Sequence, residues 1–119
     1  MEEYDDLAQG PDEAGSFNLS YNDWRVMPYD LCKEYSNRLL YLNLSNNNLV
    51  EITEEIGSLT LLKELNLSHN NLTKIGKAMG RCIRLRKLDL SYNELVSIPI
   101  EVISQCKLLV STLLSASLI

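Results

Sequence analysis

Histidine, tryptophan and phenylalanine each occur once in this chain, at His69, Trp24 and Phe17. Cysteine occurs three times (Cys32, Cys82, Cys106), with no two in a Cys-x-x-Cys spacing. Three is an odd number and none are close in sequence, so neither a disulfide framework nor a zinc site is expected. Glycine is sparse too, and Gly76 and Gly80 precede no Gly-Lys-Ser/Thr, so no phosphate-cradling loop is expected. The longest uncharged apolar stretch, residues 108–119, is too short to cross a bilayer. Residues 1–15 hold six acids and no base, and no apolar run follows them. A secretory or mitochondrial leader is therefore not expected, and a reducing cytoplasmic setting is.

What is present is an ordinary globular balance. Hydrophobic residues make up 45% of the 119 residues and charged residues 23%, which predicts one small folded domain rather than a disordered chain. The net charge of −5 is uneven. The acids of residues 1–15 are Glu2, Glu3, Asp5, Asp6, Asp12 and Glu13, whereas the rest of the chain holds ten acids and eleven bases. The N-terminal fifteen residues read as a disordered acidic tail, and the body as nearly neutral. A general nucleic-acid binder is usually basic, so no nucleic-acid partner is expected.

The dominant signal is self-similarity. Shifting the chain by 23 places Leu39, Leu42, Leu44, Asn47, Leu49 and Ile52 on Leu62, Leu65, Leu67, Asn70, Leu72 and Ile75. A second shift lands on Leu85, Leu88, Leu90, Asn93, Leu95 and Ile98. An earlier copy begins near Phe17, with Leu19, Asn22, Trp24 and Met27 at an offset of 25. Its larger side chains suit a terminal repeat that covers an open core end. The alternation in Tyr41-Leu42-Asn43-Leu44-Ser45 is strand period, and so short a strand is buried only by stacking on its neighbours. The asparagines fall where the chain leaves the strand, and an amide there can both donate to and accept from backbone that the ladder no longer satisfies. In the return segments the spacing of Ile56 and Leu59, then Met79 and Cys82, predicts one or two helical turns.

The pattern L-x-x-L-x-L-x-x-N-x-L over residues 16–110 resembles the intracellular leucine-rich repeat proteins with 23-residue repeats, including Ras-associated and cell-polarity scaffolds. The resemblance implies an α/β solenoid, a short horseshoe with parallel strands on its concave face and short helical or irregular returns. Repeats are expected near 16–38, 39–61, 62–84 and 85–107, with 108–119 a degenerate or truncated last repeat. The chain departs from the family pattern in lacking proline after Ile52 and Ile75 and in lacking a recognisable C-terminal cap. An uncapped, apolar C-terminal edge predicts self-association.

Family resemblance also implies the function class: a non-catalytic protein-binding module, a cytoplasmic adaptor or signalling scaffold. A regulatory subunit of a phosphatase or ubiquitin ligase, and a structural part of a cytoskeletal or ciliary assembly, are the alternatives. Neither an enzyme activity nor a cofactor is expected. Ser68 and His69, adjacent on a strand, would face opposite sides and make no catalytic dyad. The outward positions of the four copies are read as Asn18, Ser20 and Tyr21; Tyr41, Asn43, Ser45 and Asn46; Glu64, Asn66, Ser68 and His69; and Lys87, Asp89, Ser91 and Tyr92, with alternation assigning those within each strand. The candidate partner-binding residues are Tyr21, Tyr41, Asn43, Glu64, Asn66, His69, Lys87, Asp89 and Tyr92. They mix aromatic, amide and charged groups, a composition suited to a protein partner. The serines read as pattern residues with local hydrogen bonds. A basic cluster (Lys74, Lys77, Arg81, Arg84, Arg86, Lys87) reads as a solvated stripe, and the Asn-Leu-Ser triplets as repeat by-products rather than glycan acceptors.

Overall fold

The computed structural model describes residues 5–105. The expected last repeat over 108–119, and with it the expected self-associating edge, lies outside the described residues. The elements in chain order are α1 (Asp5–Gln9), β1 (Ser16–Asn18), α2 (Tyr29–Tyr35), β2 (Tyr41–Asn43), the 3-10 helix η1 (Glu54–Ser58), β3 (Glu64–Asn66), the 3-10 helix η2 (Lys77–Arg81), β4 (Lys87–Asp89) and α3 (Ile100–Gln105). The four strands form one parallel sheet in the order β1-β2-β3-β4.

Each strand is only three residues long, and its middle residue carries the core. Phe17, Leu42, Leu65 and Leu88 stand in register and are buried. The next inward row, Leu19, Leu44, Leu67 and Leu90, is fully buried. It stays on the sheet because the amides of Leu19, Leu44 and Leu67 each donate to the neighbouring repeat at 2.8 Å. The return segments close the core from the other side through Leu31, Ile56, Leu59, Met79, Cys82 and Val102.

The first return differs from the later ones. It is a seven-residue α-helix where η1 and η2 have five residues, and β1 pairs with β2 at an offset of 25 (Ser16↔Tyr41). Proline is absent before η1 and η2, yet Thr53 (φ −74, ψ 164) and Gly76 (φ −77, ψ 163) hold the same kind of extended turn as Pro28 (φ −58, ψ 133). The amides of the buried residues Ile56 and Met79 donate to the carbonyls of Thr53 and Gly76 at 3.2 and 3.3 Å and close those turns without the ring. Gly80 is required by close approach: a Cβ there would lie 2.9 Å from the backbone oxygen of Glu101.

Residues 5–15 correct the expectation of a disordered acidic tail. They pack against the first repeat as a cap. Leu7 is buried, the Tyr35 hydroxyl donates to the Leu7 carbonyl, and the Arg38 guanidinium donates to the Pro11 carbonyl at 3.0 Å. Asp12 Oδ1 accepts from the amides of Ala14 and Ser16, both at 2.9 Å, so one of the acids builds a turn. Gly15 (φ +82) then brings its carbonyl to the amides of Leu40 and Tyr41. The physical reason the tail reading failed is that Tyr35 and Arg38, which hold the segment, lie more than twenty residues away in sequence.

Candidate protein-binding face

Two outward rows cross the sheet. The first is Ser16, Tyr41, Glu64 and Lys87; the second is Asn18, Asn43, Asn66 and Asp89. Together with the strand cores they line an open groove of 390 Å³. None of these eight side chains is part of the buried core. Arg86 Nη2 stands 3.8 Å from Glu64 Oε2, an exposed pair whose net stabilisation is small.

Backbone amides orient the second row. The side-chain oxygens of Asn18, Asn43, Asn66 and Asp89 accept from the amides two residues on, at 3.1, 2.9, 2.9 and 3.0 Å. The hydroxyls of Ser20, Ser68 and Ser91 donate to the same oxygens at 2.7, 2.7 and 2.6 Å. The serines thus have the local role read from the sequence. Asn43, Asn66 and Asp89 are pinned at their oxygens, and among the described residues the Nδ2 groups of Asn18, Asn43 and Asn66 carry no hydrogen bond. They leave a row of donors along the groove, closed by one carboxylate.

Tyr21, His69 and Tyr92 do not line this groove, contrary to the sequence assignment. Alternation ends with the three-residue strands. Tyr21, Asn46, His69 and Tyr92 lie beyond them with φ of 60, 56, 57 and 58, where the chain turns left-handed toward the asparagine column. They form a separate rim. The amides of Tyr21, Asn46 and His69 each donate to the following repeat, to Asn46, Ser68 and Ser91 at 3.2, 3.1 and 3.0 Å. On this rim His69 and Tyr92 stack face to face, centroids 4.2 Å apart and planes 9° from parallel. Sequence reading missed this stack, although the position just before each asparagine marked its members.

Behind the rim runs the column that fixes it. Asn70 Nδ2 donates to the carbonyls of Leu44, Leu67 and Ser68 at 3.0, 3.1 and 3.2 Å, while its Oδ1 accepts from the Leu49 amide at 3.0 Å. Asn47 and Asn93 repeat the arrangement. All three are buried.

Other chemistry is poorly provided for. Among the described residues no cluster of three histidine, cysteine or carboxylate side chains could hold a metal, and no helix is long and apolar enough to cross a membrane. Ser68 is buried and His69 exposed. Cys32 and Cys82 are buried free thiols. Burial, with the Glu55 charge adding to it, pushes the Cys32 thiol up to about 12, so it is not a nucleophile at neutral pH. The basic residues Lys74, Lys77, Arg81, Arg84, Arg86 and Lys87 are all exposed.

A stacked parallel solenoid with a polar, open sheet face is the architecture of repeat proteins that bind along that face. The family model for the leucine rich repeat matches residues 37–95 and again residues 60–116, and the chain belongs to the leucine-rich repeat family. No curated protein matches the chain. Among solved structures, a leucine-rich repeat protein of Leptospira interrogans is similar over 87% of this chain, with 26% identity and a TM-score of 0.55. The chain spans 38% of the length of that protein. Domains of this family generally mediate protein–protein interaction and are typically non-catalytic.

Proposed function

We propose that this chain is a cytoplasmic adaptor or signalling scaffold that holds a protein partner in the groove across β1 to β4. The observation that carries this reading is the pair of outward rows, whose side chains no core packing requires. Tyr41 offers an amphipathic ring, Glu64 and Lys87 offer opposite charges, and the amide row offers donors to backbone or side-chain oxygens. The buried free thiols of Cys32 and Cys82 suit a reducing compartment. No nucleic acid is expected in the groove, because it holds Glu64 and Asp89 against one lysine and a single aromatic side chain from the outward rows.

The test starts from a partner recovered by affinity purification and identified by mass spectrometry. Calorimetry then compares variants. Tyr41→Ala, Glu64→Ala and Lys87→Ala are each expected to weaken binding by about 1 kcal/mol or more, the scale of interface hot spots. Glu55→Ala, on the exposed side of η1, is expected to leave it unchanged. The opposite ranking moves the interface to the convex side.

A further inference from the structure

The rim carries an aromatic ladder with one rung missing. Four equivalent positions share one backbone conformation, and three of them bear rings: Tyr21, His69 and Tyr92. The fourth, Asn46, sits between Tyr21 and His69 in the hydrogen-bonded succession of the rim. Where two neighbouring positions both carry rings, the rings stack at 4.2 Å. That distance is close to the spacing of adjacent strands, about 4.8 Å. Tyr21 and His69 are two strands apart, so a gap of about 9.6 Å separates their positions, room for one planar group between two rings. Asn46 does not fill it: its Nδ2 folds back to Ser45 Oγ at 3.3 Å and the side chain is half-buried. Tyr21 (78% exposed) and Tyr92 (69%) stand out in solvent.

The surrounding charge selects the guest. Residues 5–59, which hold Tyr21 and Asn46, contain ten acids and three bases. Asp23, two residues beyond Tyr21, is exposed and joins this rim to the next repeat through Asn48 Nδ2 at 3.3 Å. A neutral aromatic guest would gain nothing from that field. A lysine would gain the charge but offers no plane to stack. A guanidinium is planar, cationic and able to donate in its own plane while both faces lie against rings.

We propose that the slot between Tyr21 and His69, floored by Asn46, receives an arginine side chain presented by a partner polypeptide. It uses a different row of side chains from the groove, so either reading can fail without the other. His69 is the only histidine in the chain, and its ring protons are therefore a unique reporter in proton NMR spectra. The full chain is titrated with a short glycine-flanked arginine peptide at fixed pH. Parallel titrations use peptides with lysine or phenylalanine in the same place.

The arginine peptide is expected to shift the His69 resonances saturably, with the lysine and phenylalanine peptides weaker by about fivefold or more. Asn46→Tyr fills the missing rung with a residue its equivalent positions already accommodate, and is expected to abolish the response while the circular dichroism spectrum is retained. Tyr21→Ala removes the far wall and is expected to weaken the arginine peptide by about fivefold or more, should the first variant disturb the turn. Unmoved His69 resonances, equal affinity for lysine, a stronger phenylalanine peptide, or an undiminished response in both variants would each overturn the proposal.

Discussion

Asparagine 70 shows most clearly what a single side chain does here. Three carbonyls and one amide are left behind where the chain turns off the sheet, and one buried amide side chain satisfies all four. Removing it strands those groups without water. Asn70→Ala is therefore expected to cost about 3 kcal/mol or more, because each unsatisfied buried group costs about 1–3 kcal/mol. The neighbouring Leu67→Ala, which opens a cavity at a fully buried position, is expected to cost about 2–5 kcal/mol. Asn71→Ala, at an exposed position, is the control and is expected to change stability by less than about 0.5 kcal/mol. Urea unfolding measures all three. A small effect at Asn70 equal to that at Asn71 would contradict the column as a structural device. The column was legible in the sequence, because a polar residue recurring inside a leucine pattern has few uses other than satisfying backbone.

At the scale of elements, the N-terminal segment departs most from what the sequence suggested. Composition marked residues 1–15 as acidic and poor in core formers, and so as a tail. In the structure α1 is anchored by one leucine, with the Tyr35 hydroxyl closing over its carbonyl and the Phe17 and Tyr35 rings meeting edge to face at 5.6 Å. The cap covers the open end of the core that a solenoid must protect. Tyr35→Phe deletes the hydroxyl and keeps the ring, and is expected to cost about 0.5–1.5 kcal/mol. Leu7→Ala is expected to lower stability further, since it takes away the anchor itself. Chemical denaturation of the two variants is the check, and unchanged midpoints in both would return the segment to a tail. No pattern within residues 5–15 could have shown this, because the partners come from α2 and the turn after it.

Across the whole molecule, each repeat touches mainly its neighbours. The strands run in order β1-β2-β3-β4, and the amide of Leu44 bridges the two repeats that are themselves flanked on both sides. Stability in such a stack is close to a sum of repeat and interface terms, so the ends open before the middle. Hydrogen exchange is expected to be slowest at Leu44 and fastest among the described residues in α1 and the turn after it. Uniform exchange at all these amides would show one all-or-none unit instead. Charge is polarised along the same axis: ten acids and three bases in residues 5–59, two acids and seven bases in residues 60–92. A partner lying across the sheet meets a field that changes sign along its length, which sets its orientation more than its affinity.

The sequence by itself determined the repeat, the strands, the rows of core leucines and the asparagine column. Each rests on a spacing that recurs every 23 residues, and a leucine or asparagine at that spacing has one physical use in a stacked sheet. It also located the groove residues Tyr41, Glu64 and Lys87, because alternation holds within a strand. Tertiary structure alone decided where alternation stops. Three-residue strands end before Tyr21, His69 and Tyr92, and a left-handed turn carries those rings to a separate rim. The stacking of His69 on Tyr92, the empty place at Asn46 and the cap held by Tyr35 and Arg38 all arise between side chains of different repeats. Distances of that kind are set by how neighbouring coils of the solenoid lie on one another, which no single repeat encodes.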